Sequence, residues 1–351
     1  MKMGSRKSHD AAAELDHAID VPSVHGTGSL RRSVSTRLAR VTSRYGTIIA
    51  LISLIVIFTV LKGSLFFTKA NFVNIASDVA IGIVISCGLT IPMVANEFDL
   101  SIGYCASFAG VLVTGLVVKN GMPLVWAIVV TLAMSAVVGL INGLVMTRFN
   151  VVSFVATLGI GTILIGLDYG YSNGVTFSVG LPQVFMEINT KQIVGIPLPV
   201  YIAVVIALAL WVTVNRSVFG YYLQAIGQNP DAAHLAGVRV NRVRVAAMVV
   251  SSVCAGIGGI LLASELGGGE VSIADGYLLS AFAACFLGSV CLRDGEFHIV
   301  GTCIGVVTVG VAFNGLAIMG YATFWQYAVQ GALLIGAVGV STVGRKILAS
   351  R

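Results

Sequence analysis

Long apolar runs separated by short polar segments dominate this chain. Ten runs follow a polar N-terminal stretch, and each is close to the roughly 20 residues that a helix needs to cross a bilayer. They cover residues 47–67, 75–95, 101–118, 123–146, 151–170, 199–215, 245–264, 272–292, 298–319 and 322–342. Because lipid cannot hydrogen-bond to the backbone, such runs form helices. The pattern predicts an all-α, polytopic membrane protein with about ten transmembrane helices.

The same pattern divides the chain into three parts. Residues 1–46 are polar and predict a basic, disordered cytoplasmic tail that is too long and polar for the n-region of a signal peptide. Residues 47–342 form the predicted transmembrane domain, and residues 343–351 a short cytoplasmic C-terminal tail. Within the transmembrane domain, residues 216–244 form a predicted cytoplasmic loop.

Composition and charge exclude the soluble and nucleic-acid-binding classes. The chain is 57% hydrophobic and only 10% charged, with a mean hydropathy of +0.95. The net charge of +6 is spread among loops, so we expect contact with membrane lipid and no nucleic-acid partner.

Ten spans place both termini on one side of the membrane. All but four of the 21 basic residues then lie on that side, which the positive-inside rule assigns to the cytoplasm. The four exceptions are Lys62, Lys69, Lys119 and Lys191.

Signatures of catalysis, nucleotide binding and metal binding are missing from the sequence. It contains no GxxxxGK[ST] motif, no Gly-Lys pair and no HExxH motif. The six cysteines lie in or beside apolar runs without a CxxC pair, so we expect reduced packing residues. We therefore predict no catalytic residue, no metal site and no cofactor in this chain.

Glycine is abundant, with 41 residues, and suits closely packed membrane helices. Gly139 with Gly143, and Gly301 with Gly305, have the GxxxG spacing that lets two helix backbones approach. We expect helix contacts at both pairs.

The segment from Gln224 to Arg244 predicts a separate short helix. Asn229 is a good capping residue, Pro230 suits the first helical position, and Asp231 places negative charge at the positive end of the helix dipole. Gly237 then favours a stop, and Arg239 begins a basic cluster. Such a helix between two spans indicates a docking element. The alternative is a basic loop that only fixes topology.

A second polar stretch, Asn96 to Ser101, lies between two apolar runs. Its carboxylates, Glu97 and Asp99, are costly beside the bilayer and normally face a cavity or a helix break. Asp99 or Ser101 is expected either to cap the helix that follows or to line a pathway. For Glu97 a structural and a functional role stay open. Asn314, inside a later run, suits interhelical hydrogen bonding or a pathway.

Three blocks of the chain resemble the ribose-type, simple-sugar permeases of ABC importers. Residues 225–244, AIGQNPDAAHLAGVRVNRVR, look like the family's coupling loop, with Asp231 where the "EAA…G" motif has Glu. Residues 98–103, FDLSIG, resemble its "IDLSVG" signature, preceded by Asn96 and Glu97 where "GG" is usual. Residues 286–316 follow its "FLGG…G…GT…NGL" layout, with Ser289 for a Gly.

The resemblance implies the membrane subunit of a bacterial importer for a small sugar or related polyol, located in the cytoplasmic membrane. The fold should be similar to the ten-helix permease of the vitamin B12 importer. Implied partners are an ATP-binding cassette subunit that binds ATP and Mg, an external sugar-binding protein, and a second permease chain that is identical or related. The implied ATPase-coupling residues are Asn229, Pro230, Asp231, Ala232, Ala233, His234, Gly237 and Arg239. The translocation-path candidates are Asn96, Glu97, Asp99, Ser101 and Asn314.

An ion-coupled secondary transporter is the alternative to this ATP-driven mechanism. In that hypothesis Glu97 and Asp99 are proton or cation sites. It accounts for the acidic residues and leaves the capped polar helix unexplained. The sequence does not name the sugar, decide between a homodimer and a heterodimer, or fix the direction of transport.

Overall fold

The computed structural model describes residues 28–292, 295–322 and 324–349. The chain divides after Val41 into two units, Met1–Val41 and Thr42–Arg351. The first unit includes the start of the first helix, and the second holds every other element described below. Of the tail predicted at residues 1–46, residues 1–27 lie outside the described residues, and residues 28–46 are helical and belong to the first helix.

The described part of the chain contains thirteen helices and one two-stranded antiparallel sheet. The helices are α1 (Gly28–Phe66), α2 (Lys69–Val94), α3 (Ile102–Val118), α4 (Leu124–Arg148), α5 (Ser153–Ser172), α6 (Gln183–Thr190), α7 (Leu198–Arg216), α8 (Val218–Gln228), α9 (Pro230–Leu235), α10 (Val240–Leu266), α11 (Asp275–Val290), α12 (Ile299–Ile318) and α13 (Phe324–Ala349). The strands are β1 (Gln192–Ile193) and β2 (Ile196–Pro197).

Seven helical segments of the described residues are long and apolar enough to cross a membrane. They are Tyr45–Phe66 within α1, together with α2, α4, α5, α7, α10 and α12. Helices α3 and α11 are apolar and shorter. The predicted class, an all-α polytopic membrane protein, is confirmed at this level, with the small sheet as an addition.

Several helices extend beyond their apolar runs, and the first and last helices do so by the most residues. Helix α1 begins at Gly28, before the run that starts at residue 47, and α13 continues to Ala349, beyond the run that ends at residue 342. Hydropathy marks the part of a helix that suits lipid, whereas helical hydrogen bonding continues into polar sequence. The runs therefore placed the spans better than the helix ends.

Helix α10 forms the centre of the packing, against α2, α3 and α4. The contact with α4 depends on the first predicted glycine pair. A Cβ atom at Gly139 would lie 2.5 Å from the carbonyl oxygen of Met248, and one at Gly143 would lie 2.6 Å from the Cα of Val245. The two backbones touch because neither position carries a side chain. The prediction for this pair is confirmed.

The second glycine pair brings α12 against α11 in the same way. A Cβ atom at Gly301 would collide with the carbonyl oxygen of Gly288, and one at Gly305 with that of Ala284. This prediction is confirmed as well.

The segment between α5 and α7 is partly helical. It contains α6 and the β1–β2 hairpin, and Phe185 of α6 is fully buried. The Ser264 hydroxyl of α10 donates a 2.6 Å hydrogen bond to the Phe185 carbonyl. This bond fixes the segment to the C-terminal end of α10.

The α4–α10 contact generates a stability prediction. We expect Gly139→Val to lower the free energy of unfolding by about 1–3 kcal/mol, since the added side chain forces the backbones apart. The matched control is Gly166→Val, because a Cβ atom at Gly166 in α5 meets no atom within 4 Å. Thermal unfolding of the detergent-solubilised chain measures the difference. Equal unfolding midpoints for the two variants would contradict the predicted contact.

Candidate functional site

A two-helix segment, α8 followed by α9, links the spans α7 and α10 and forms the first half of the candidate site. Ser217 caps α8 by accepting a 3.1 Å hydrogen bond from the amide of Gly220. Leu223 and Ile226, three positions apart, bury one face of α8, whereas Tyr221 is exposed. The sequence analysis did not predict α8, although this spacing of apolar residues is its signal.

Helix α9 is built as its sequence predicts. The Asn229 side-chain oxygen accepts hydrogen bonds from the amides of Asp231 and Ala232, each 3.0 Å long. Pro230 occupies the first helical position. Gly237 follows the helix with φ 87°, a left-handed conformation that glycine adopts without strain. The predicted cap, start and stop are confirmed.

The surface of α9 is almost entirely open. Only Ala233 is buried, at 5% exposure, and it anchors the helix to the core. Asp231 and His234 are exposed, and Leu235 is 88% exposed. Sequence reasoning missed Leu235, although a large apolar residue in a polar loop is a recognisable signal of a contact surface.

The α2–α3 junction, residues 95–101, forms the second half of the site and lies against α8. Asn96 has φ 58°, a conformation that asparagine tolerates better than most residues do. The Asn96 side-chain amide donates to the carbonyl oxygen of Gly227 in α8. A Cβ atom at Gly227 would collide with the Val94 carbonyl oxygen, so α8 is seated directly on the end of α2. Asn96 thus adopts a left-handed backbone conformation, which glycine favours, and its side chain adds a hydrogen bond to α8.

Glu97 makes an ion pair with the first turns of α10. Its Oε1 lies 2.8 Å from the Nε of Arg244, and the two side chains are 13% and 28% exposed. Arg244 belongs to the basic cluster that follows α9. The extra carboxylate noted in the sequence therefore joins the α2–α3 junction to the start of α10, which follows the α8–α9 segment.

Asp99 is fully buried and collects hydrogen bonds from two helices. Its Oδ1 accepts from the amide and the hydroxyl of Ser101, at 2.9 and 2.5 Å, and its Oδ2 accepts from the Ser251 hydroxyl of α10, at 2.7 Å. Asn142 of α4 donates to the Ser101 hydroxyl at 2.8 Å. Of the two capping candidates, Ser101 makes no side-chain cap bond to α3, and its hydroxyl donates to Asp99 instead.

Helix α5 holds the same junction from another side. The amide of Phe98 donates to the Ser153 hydroxyl at 3.2 Å, and the amide of Leu100 donates to the Thr157 hydroxyl at 3.0 Å. The junction is therefore bonded to α4, α5, α8 and α10 at once.

The structure separates Asn314 from the other path candidates. Asn314 and Asn71 exchange hydrogen bonds of 2.9 and 3.1 Å near the start of α2, whereas Asn96, Glu97, Asp99 and Ser101 follow the end of α2. At 1.5 Å per residue, these ends of α2 are roughly 35 Å apart. Asn314 lines a cavity between α2, α11, α12 and α13. Asn96 lines a separate crevice of about 200 Å³ beside α8.

The cysteines and acidic residues form no candidate metal centre within the described ranges. All six cysteines are free, as predicted. No group of three or more His, Cys, Asp or Glu side chains among the described residues could hold a metal ion.

The part of the chain that contains this site also matches known proteins. Residues 71–338 match the family described as "Branched-chain amino acid transport system / permease component". The chain is similar to the ribose import permease protein RbsC of Bacillus subtilis, 33% identical over 299 residues that cover 85% of this chain and 92% of that protein. RbsC of Escherichia coli K12 is 30% identical, covering 83% and 91% of the two chains. The L-arabinose transport system permease protein AraH of the same organism is 29% identical, covering 90% and 95%. No solved structure matches the chain.

The Asp99 network generates a second prediction. We expect Asp99→Ala to lower the free energy of unfolding by about 1–3 kcal/mol, because buried donors on Ser101 and Ser251 lose their acceptor. Asp231→Ala, at an exposed carboxylate, serves as the control and should change it by about 0.5 kcal/mol or less. Thermal unfolding of both variants in detergent tests this. A loss at Asp231 as large as that at Asp99 would refute the structural role of the network.

Proposed function

Because this chain belongs to the family of branched-chain amino acid transport system permease components, we propose that it is the membrane-spanning subunit of an ABC importer for a small sugar or related polyol. As a permease component, the chain is not itself an enzyme. The family description names amino acids, whereas the relatives compared above are named for ribose and arabinose. Those relatives match over nearly their whole length, which supports a sugar as the substrate.

The exposed, capped helix α9 is the observation that carries the proposal. A partner ATPase subunit docks on it, through Asn229 to His234 with Gly237 and Arg239, and Leu235 adds an apolar contact. ATP and Mg bind to that partner, and this chain contributes no catalytic residue. The burial of Ala233 supports this role, because a docking helix must pass force to the core through a fixed contact.

Movement of α9 reaches the membrane part through the α2–α3 junction. When ATP closes the ATPase subunits, α8 and α9 shift together. The bond between Asn96 and Gly227, and the ion pair between Glu97 and Arg244, carry this shift to α2 and α3. The path then switches between external and cytoplasmic access. In this mechanism Asn96 and Glu97 are positioning residues, and Asn314 belongs to the external part of the path.

The assembly needs two further components besides the ATPase subunit. A second permease chain, identical or related, completes the translocation path, since one chain with one docking helix is half of a symmetric translocator. A sugar-binding protein docks on the external segment that contains α6.

We propose ten spans in all, adding α3, α11 and α13 to the seven that meet the length criterion, in a fold similar to the vitamin B12 importer permease. Residues 47–342 form this domain in the bacterial cytoplasmic membrane, with residues 1–46, 216–244 and 343–351 on the cytoplasmic side.

Nothing in the site favours the ion-coupled alternative. Glu97 is paired with Arg244, and Asp99 accepts hydrogen bonds from two serines. Both acids therefore have protein partners in the positions that a transported ion would need to occupy.

The docking helix generates a third prediction. We expect Leu235→Asp to weaken association with the ATPase subunit at least tenfold, a loss of about 1.4 kcal/mol, because a charge replaces an apolar contact at the interface. The control is Val194→Asp, which changes a residue that is 93% exposed in the hairpin on the other side of the membrane. Co-purification of the full-length chain with the ATPase measures both. Equal recovery of the ATPase by the two variants would argue against docking on α9.

The ion pair generates a fourth prediction. In proteoliposomes, Glu97→Ala should leave ATPase association within about twofold of wild type and lower the amount of sugar imported per ATP hydrolysed. Arg244→Ala should do the same, and the double variant should lose little more, since both changes remove one interaction. Exchange of the two residues should restore part of the import. Additive losses, with no rescue by the exchange, would show that the pair does not transmit the movement.

A further inference from the structure

A cavity lined by both apolar and polar side chains lies beside the middle of α2, between Asp78 and Ser86. Its volume is about 510 Å³, within the roughly 300–1,000 Å³ of most small-molecule sites. It is bounded by α2, α11, α12 and α13. The lining groups that matter here are carboxylates, amides and phenols: Asp78, Asp275, Tyr277, Asn314, Gln326 and Tyr327.

The two carboxylates require a polar medium in this cavity. Asp78 lies within the membrane-spanning helix α2, roughly 14 Å along the helix from Lys69, and Asp275 begins α11. Both residues are exposed and line the cavity, and the Asp78 carboxyl group also hydrogen-bonds to that of Glu265. A carboxylate next to hydrocarbon is costly, so intramembrane acids face water or a polar ligand. A cavity bordered by these acids therefore suits water or a polar solute better than lipid.

Two walls of the cavity are fixed by hydrogen bonds. The Gln330 side chain, 3% exposed, donates a 2.9 Å bond to the Gly276 carbonyl and so holds α13 against the start of α11. The exchange of hydrogen bonds between Asn314 and Asn71 fixes α12 against α2. The site is therefore formed before a ligand arrives, which reduces the cost of binding.

The cavity also has a polar connection toward the external segment. Asp78 lines a second crevice, of about 310 Å³, together with Asn189, Gln192 and Glu265. Asn189 belongs to α6 and Gln192 to β1. A solute released at the external segment thus meets polar side chains from there to Asp78.

We infer that this cavity is the binding site for the transported substrate inside the membrane, and that its chemistry selects a neutral polyhydroxyl compound. Carboxylates accept hydrogen bonds from sugar hydroxyls, amides donate and accept them, and tyrosine rings pack on the apolar C–H faces of a sugar. The inference rests on the proposed function and adds the position of the site and the reason for its substrate class.

The charge of the lining discriminates between the substrates suggested by the comparisons. Among the described residues that line the cavity there is no Lys, Arg or His to pair with an anion. The α-carboxylate of a branched-chain amino acid, or the phosphate of a sugar phosphate, would meet Asp78 and Asp275 without a compensating cation. Such charges are repelled where a neutral sugar is accepted.

Protection of an introduced cysteine in the cavity tests the inference. Ser280 lines the cavity, so Ser280→Cys, made together with Cys303→Ser, gives one accessible thiol; the other native cysteines are buried. The full-length chain in proteoliposomes is treated with a charged methanethiosulfonate reagent, with D-ribose, L-arabinose, D-galactose or L-leucine as protectant. We expect at least one sugar to slow modification fivefold or more, and leucine to have no effect.

Variants of the lining make the test specific. Asp275→Asn and Gln326→Ala should each raise the sugar concentration needed for half-protection about tenfold while the thiol stays reactive. Gln183→Ala, a matched amide change in α6 away from the cavity, should leave the half-protecting sugar concentration unchanged.

Lack of protection by any solute overturns the inference, even if the assembled importer carries a sugar. Protection by leucine alone overturns the substrate class, and protection by a sugar without ATP-driven import refutes the proposed function instead.

Discussion

The buried carboxylate of Asp99 is the interaction on which the part of this protein around the α2–α3 junction depends. An ionisable group without solvent is stable only when its acceptor oxygens are satisfied, and here Ser101 and Ser251 satisfy both. Asn142 extends the network into α4. Ser101, Asn142 and Ser251 lie at the start of α3, in α4 and in α10, so this one network fixes where the three helices meet. The break between α2 and α3 is thereby rigid enough to receive force from a neighbouring element.

Close approach of backbones supplies the complementary constraint. Gly139 and Gly143 bring α4 onto α10, and Gly227 brings α8 onto the end of α2. In a membrane, where apolar side chains gain little by leaving lipid, such contacts rely on packing and interhelical hydrogen bonds. Movement of α8 relative to α2 is therefore coupled to the junction that Asn96 and Glu97 hold. Asp78 of the same helix lines the cavity proposed as the substrate site, so α2 connects that cavity to the segment that packs on its C-terminal end.

The sequence predicted local features well and pairings poorly. The cap at Asn229, the stop at Gly237 and the close-packed glycine pairs follow from properties of single residues and short spacings. The partner of Glu97 did not follow, because Arg244 is distant in the chain and several basic residues were equally available. Asn314 was placed among the path candidates with Asp99, although α2 separates them by roughly 35 Å. Gln326 and Asp275 stood out only once the fold brought them to one cavity.

The sequence by itself determined that this is a polytopic helical membrane protein and that it carries a capped polar helix between two spans. Hydropathy and capping act within about twenty residues, so no knowledge of the fold was needed. Only the tertiary structure decided which polar side chains are buried as partners of one another and which face open space. That distinction depends on how distant helices pack. It made Asp99 a structural centre, Glu97 a link to the docking segment, and Asp78 with Asp275 part of a cavity.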